Sequence, residues 1–170
     1  PEGDVVRIAT DASSDTVFKG SMCFVAGNGD YRLRTRETKA STDELELEAL
    51  TLALKYLLKV GARKAVIESD SVAALEAVEQ IVHKRGSKAS RPGRTWRGVS
   101  SGARSRFQQA WGDIQGQCEV DIRRVLGHAG DPLNRAADQI AYMGLRAIAH
   151  PMKQSRETLR EGIQKALLAL

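Results

Sequence analysis

Apolar residues recur along this chain in two periods, and the switches between them outline the fold. Val5-Val6-Arg7-Ile8-Ala9-Thr10 is rich in β-branched residues and holds no turn former, which predicts a first strand ending at Asp11. Ser14-Asp15-Thr16 reads as a short polar turn, and Phe18 to Ala26 as a second strand carrying Met22, Cys23, Phe24 and Val25. Gly27-Asn28-Gly29-Asp30 is a hairpin signal, and the alternation Tyr31-Arg32-Leu33-Arg34-Thr35-Arg36 predicts a third strand with one wet face. The period then changes. Ser41-Thr42-Asp43-Glu44 is a capping box opening a helix that runs to Val60 and stops at Gly61.

A fourth strand follows over Ala62 to Ser69, ending at Asp70. A strand–helix–strand crossover of this length implies parallel pairing with the first strand. Ser71 opens a helix with Val72, Leu75, Val78 and Val82 on one side. Phe107, Ala110, Trp111 and Ile114 have helical spacing, with Trp111 expected in the core, and Val120 to Leu126 reads as a fifth strand. Gly127 to Asp131 forms a glycine-flexed loop, Pro132 starts a helix and Pro151 closes it. The expected architecture is α/β, a five-stranded mixed sheet of three antiparallel strands and then parallel ones, flanked by helices. Residues 1–150 form this domain, and 151–170 a C-terminal amphipathic segment of unknown role with Leu159, Ile163, Ala166, Leu167 and Leu170 on one stripe.

On the helix after Ser41, a rotation of ~100° per residue places Glu44, Glu48, Thr51, Lys55 and Lys59 on one polar arc. Glu44 and Glu48 thus read as solvated. Glu46 falls opposite, on the stripe of Ala49, Leu50, Ala53 and Leu57, where a carboxylate needs a cation or a donor. Asp11 and Asp70 stand at the C-terminal ends of neighbouring parallel strands, the edge where α/β sheets bind ligands. Glu68 is expected to face elsewhere or to pair with a lysine, while Asp138 lies on the margin of its helix's apolar face.

Composition narrows the function classes. The 170 residues suit one domain, and no run of ~18 apolar residues could span a membrane. Opening on Pro1 without a charged-then-apolar leader, the chain reads as a trimmed or excised cytoplasmic protein. Cys23 and Cys118 fit no zinc spacing and suit a reducing compartment. The net charge of +5 is uneven: Lys84, Arg85, Lys88, Arg91, Arg94, Arg97, Arg104 and Arg106 fall between His83 and Gly112 without one acid. The rest holds 18 basic against 21 acidic residues, so the positive charge gathers in a protrusion at about 84–101 and points to a polyanionic partner. Trp96, between Arg94 and Arg97, either folds back on the protein or stacks on a base.

Asp11, Glu46, Asp70 and Asp138 brought together would raise one another's pKa unless a metal intervened, and oxygen-only ligands favour Mg²⁺ or Mn²⁺. Two such ions about 4 Å apart can hold the attacking and leaving oxygens of a phosphodiester. His128, on the loop before Asp138, is placed to move a proton.

Four segments in order carry a resemblance: Thr10-Asp11-Ala12-Ser13, Glu46 through Leu54, Ser69-Asp70-Ser71, and Gly127-His128-Ala129-Gly130 through Asn134 to Asp138. Together they resemble type 1 ribonuclease H, which cuts the RNA strand of RNA/DNA hybrids. The resemblance implies that Asp11, Glu46, Asp70 and Asp138 bind two Mg²⁺ or Mn²⁺ ions, and that His128 aids proton transfer and product release. It also implies 5′-phosphate and 3′-hydroxyl ends, with the protrusion (Lys84, Arg85, Lys88, Arg91, Arg94, Trp96, Arg97) holding the DNA strand. Ser13, Thr42 and Asp43 stand where the family touches nucleic acid, although this chain lacks the Gly/Asn/Pro-rich loop and the asparagines common there. A monomer is expected. Rival readings are a catalytically silent hybrid binder, a DNA-cutting enzyme of the same fold, and the ribonuclease part of a larger polypeptide. Scission of a labelled hybrid and a duplex-DNA control separate the first two.

Overall fold

In the computed structural model, which describes residues 4–16, 18–83, 98–127, 130–151 and 156–170, the strands are β1 (Val6–Thr16), β2 (Lys19–Ala26), β3 (Tyr31–Arg36), β4 (Lys64–Ser69) and β5 (Glu119–Arg124). They form one sheet in the order β3-β2-β1-β4-β5. β1, β2 and β3 are antiparallel, whereas β4 and β5 run parallel to β1. This is the expected mixed sheet of a ribonuclease H-like fold. Five helices flank it: α1 (Thr42–Val60), α2 (Val72–His83), α3 (Ser101–Ile114), α4 (Pro132–Ala149) and α5 (Arg156–Leu167).

Strand alternation sorts the core into two layers. Ile8, Met22, Phe24 and Ile67 face the layer built from α1, α2 and α3. Ala9, Cys23 and Val25 face the other, under α4 and α5. The first layer is anchored by Leu45, Leu47, Leu50, Leu54 and Leu57 of α1, each at most 1% exposed. Burial of each such side chain contributes about 1.5–3 kcal/mol. The helix ends follow its sequence signals. The Ser41 hydroxyl accepts the Glu44 N–H at 3.1 Å, and Gly61 closes the helix at φ 68°, a left-handed conformation open to glycine. At α4, Asp131 is the N-cap and Pro132 opens the helix as expected.

Several expectations need correction. The first strand does not end at Asp11: β1 runs on to Thr16, because β2 keeps supplying backbone partners as far as Lys19, with an irregularity between Ser14 and Thr16. Polar residues there carry no hydrophobic signal of a strand. In α2, Ala74, Ala77 and Val78 are buried while Val72 is exposed. Trp111 is only half-buried, stacked at 6.1 Å on Phe107, which is the buried aromatic of α3. In α5, Ile163 and Ala166 are buried against α4, but Leu170 lies beyond the helix and is exposed. Among the described residues, no helix is long and apolar enough to cross a membrane.

Candidate active site

The site arises where β1 and β4 part. Their parallel ladder ends at the pair Ala9–Glu68. Beyond it the Thr10 hydroxyl donates to the Glu68 carbonyl at 3.2 Å, and β1 continues paired with β2 alone. Asp11 and Asp70 therefore stand just past the last rung, on the two sides of the opening. α1 delivers Glu46 to the same place from its second turn. Carboxylate oxygens of Asp11, Glu46 and Asp70 lie within 4.8 Å of one another.

Asp11 accepts the Ala12 N–H at 2.8 Å, which partly compensates its burial. Burial nevertheless pushes its carboxyl up to about 7, reinforced by the charges of Asp70 and Asp138. Glu46 is 5% exposed and is held well above the usual carboxylate range by burial and then by the charges of Asp11 and Asp70. Its Oε2 is buried without a hydrogen-bond partner. A buried acceptor of that kind costs about 1–3 kcal/mol unless something positive reaches it.

Asp138 does not belong to the 4.8 Å trio. It is exposed on the second turn of α4, close enough to raise Asp11 through its charge, and it lines one cleft with Asp11 and Asp70. This cleft, about 140 Å³, is closed by Gly127, Gly130, Asp131, Asn134 and Arg135. Gly127 comes so near that a Cβ there would sit 3.1 Å from Asp70 Oδ2. A larger groove of about 780 Å³ between α2, α3 and β5 shares no lining residue with this cleft.

Two flanking networks escaped the sequence reading. On the α4 side, Glu68 accepts from Arg7 Nε at 2.8 Å and from Asn134 Nδ2 at 2.9 Å, while Arg7 also pairs with Asp131. Glu68 thus pairs with an arginine of β1, not with a lysine. The only sequence cue is a polar residue, Arg7, inside an apolar strand. On the α3 side, Glu44 and Glu48 are not solvated. Glu44, 4% exposed, accepts from Arg36 at 3.1 Å and from the Ser100 N–H at 2.8 Å. Glu48 pairs with Arg36 at 3.3 Å and with Arg106. α3 packs on the polar arc of α1 and brings Ser100 and Arg106 from more than fifty residues away, while Arg36 comes from the end of β3. Arg104 and Arg106 also leave the free basic run, since Arg104 is buried in α3.

The Ser14 and Thr42 hydroxyls lie 2.6 Å apart, so the stretch holding Ser13 meets the start of α1, where Thr42 is exposed and Asp43 half-exposed. His128, together with Lys84, Arg85, Lys88, Arg91, Arg94, Trp96 and Arg97, lies outside the described residues.

The donor set suits a hard divalent cation: three carboxylates converge, one oxygen is orphaned, and no thiolate or described imidazole is among them. A family model, RNase H, matches residues 3–146. The chain belongs to the RNase H family. Asp11, Glu46, Asp70 and Asp138 all fall within the matched span, as does the cleft that Asp11, Asp70 and Asp138 line. Membership in the RNase H family makes this a nuclease of the RNase H kind. A search of curated proteins found no match.

Proposed function

We propose that the protein is a metal-dependent endoribonuclease that hydrolyses the RNA strand of RNA/DNA hybrids, leaving 5′-phosphate and 3′-hydroxyl ends. The observation carrying this reading is the orphaned Glu46 oxygen between Asp11 and Asp70. A carboxylate on the core side of a helix, surrounded by other acids, is costly to hold charged unless a cation sits beside it. Asp11, Glu46 and Asp70 would hold Mg²⁺ or Mn²⁺, with Asp138 completing the set from the far wall of the cleft. Two such ions supply charge neutralisation for the phosphodiester and activation of water at neutral pH.

The remaining steps belong to the chain. Water adds to phosphorus, the bond to the 3′ oxygen breaks, and that oxygen takes up a proton. His128 is suited to carrying the proton and loosening the product. Ser13, Thr42 and Asp43 would meet the hybrid at the rim, where 2′-hydroxyls in the wide minor groove separate RNA from DNA. The basic residues from Lys84 to Arg97 and Trp96 would hold the DNA strand. We take the protein to work as a monomer in a reducing, cytoplasmic setting, a reading with which two free, buried cysteines are compatible.

The test is a hybrid labelled on each strand, incubated with Mg²⁺ or with EDTA. Scission of the RNA strand alone, dependent on metal, is the expected result. Binding without scission, or faster cutting of duplex DNA, would replace this reading.

A further inference from the structure

Away from the acid cleft, the edge strand β3 carries Arg32, Arg34 and Arg36 at alternate positions. Their register partners on β2 are Phe24, Met22 and Gly20, and Met22 and Phe24 lie in the core beneath α1. The three guanidinium groups therefore project on the α1 side of the sheet edge. Facing them, α1 presents Lys55 and Lys59, one turn apart and both exposed. Between the two rows run two adjoining cavities of about 520 and 190 Å³ that share Leu52 and Lys55 in their walls.

Of the acids at this groove, Glu44 and Glu48 are spent on Arg36 and Arg106. Asp30, at the end away from the acid cleft, is held by neutral donors, accepting the Tyr56 hydroxyl at 2.6 Å and a bond from Asn28. It is the one carboxylate without a cationic partner among the described lining residues. Arg32, Arg34, Lys55 and Lys59 are left without a carboxylate partner among the described residues. The overall residue tally hides this, because the acids lie elsewhere on the surface.

We propose that this β3–α1 groove is a second phosphate track, gripping the backbone of a hybrid where it extends beyond the cleft. The inference rests on the nuclease reading above. From Arg32 to Arg36 the strand rises roughly 14 Å, the axial length of about four phosphates of one strand. The arginine steps of ~7 Å and the Lys55–Lys59 step of ~6 Å keep both rows in similar pitch. At its upper end the groove reaches Arg36, which pairs with Glu44 in the first turn of α1, the helix that carries Glu46 of the acid trio. Of the rings in its wall, Tyr56 is packed on Phe24 at 4.8 Å and locked by Asp30, and Tyr31 packs against the α4-side core, so the groove reads backbone and not bases. A concave, two-rowed basic channel fits a polyphosphate rod better than a flat membrane surface.

The experiment uses the full chain with Arg32→Gln, Arg34→Gln, Lys55→Gln and Lys59→Gln combined. Two hybrids are compared, a short one that only fills the cleft and one about 20 base pairs longer, roughly two helical turns. For the long hybrid, KM should rise about tenfold at near-physiological salt, and the slope of log affinity against log salt should flatten by about three to four. Its kcat, and both constants for the short hybrid, should stay unchanged. Equal losses on both lengths, or no loss on either, would overturn the track. A variant with Arg32→Lys and Arg34→Lys should keep wild-type affinity, and its failure to do so would equally count against a charge-based grip. Anisotropy binding in EDTA separates the two proposals. A flattened salt slope on the long hybrid with no cleavage by the wild type would keep the track and discard the nuclease reading.

Discussion

Glu44 and Glu46 are two residues apart on one helix, 4% and 5% exposed, and have opposite surroundings. Glu44 is satisfied by a guanidinium and a backbone N–H. Glu46 faces two other acids with one oxygen unpartnered. The difference separates structural from functional burial. A paired buried charge ties elements together, here β3 and the start of α3 to α1, whereas an unpaired one stores a demand for a ligand.

The sharpest way to break the comparison is to neutralise each acid. Glu46→Gln and Asp70→Asn should each lower cleavage at least ~10³-fold, about 4 kcal/mol of barrier, while anisotropy shows the hybrid still bound. Retained activity in Asp70→Asn would remove it from the metal set. Glu44→Gln should do the reverse, costing about 2 kcal/mol in a urea titration by leaving Arg36 under-paired, with the metal dependence of kcat unmoved.

Titration sharpens the same contrast. Asp11 moves from 3.8 to about 7 on folding. Between those values the native chain binds a proton that the unfolded chain does not, so stability falls as pH rises through the window. The melting temperature in EDTA should therefore drop by several degrees from pH 4 to pH 7 once other groups are accounted for, and Mg²⁺ should restore it at the upper end. In Asp11→Asn this part of the slope should vanish. Gly127→Ala, by crowding Asp70 Oδ2, should weaken metal affinity by about tenfold in a calorimetric titration, the size usual for groups that orient ligands. Smallest of all, Ser41→Ala removes the cap of α1 and should cost about 1 kcal/mol without touching chemistry.

Much of this was legible in the residues. Alternation and capping located the strands and α1, and the helical wheel alone singled out Glu46 from its neighbours. What escaped depends on distant partners. The strand character of Ser14 to Thr16 comes from β2, not from propensity. Glu48 looked solvated because Arg106 lies 58 positions on, and the arginine row of β3 faces lysines that a net charge count cannot place. Asp138, grouped with the other acids from the sequence, lines the cleft with Asp11 and Asp70 and acts on Asp11 through its charge, outside the 4.8 Å trio.

The parting of β1 and β4 after Ala9 and Glu68 has a consequence for how such a protein can change. Side chains at that fork can be exchanged without breaking a rung between β1 and β4, since that ladder has already ended there. Descendants could gain, lose or retune chemistry through a handful of replacements while inheriting an intact scaffold, which makes the gap a natural place for innovation.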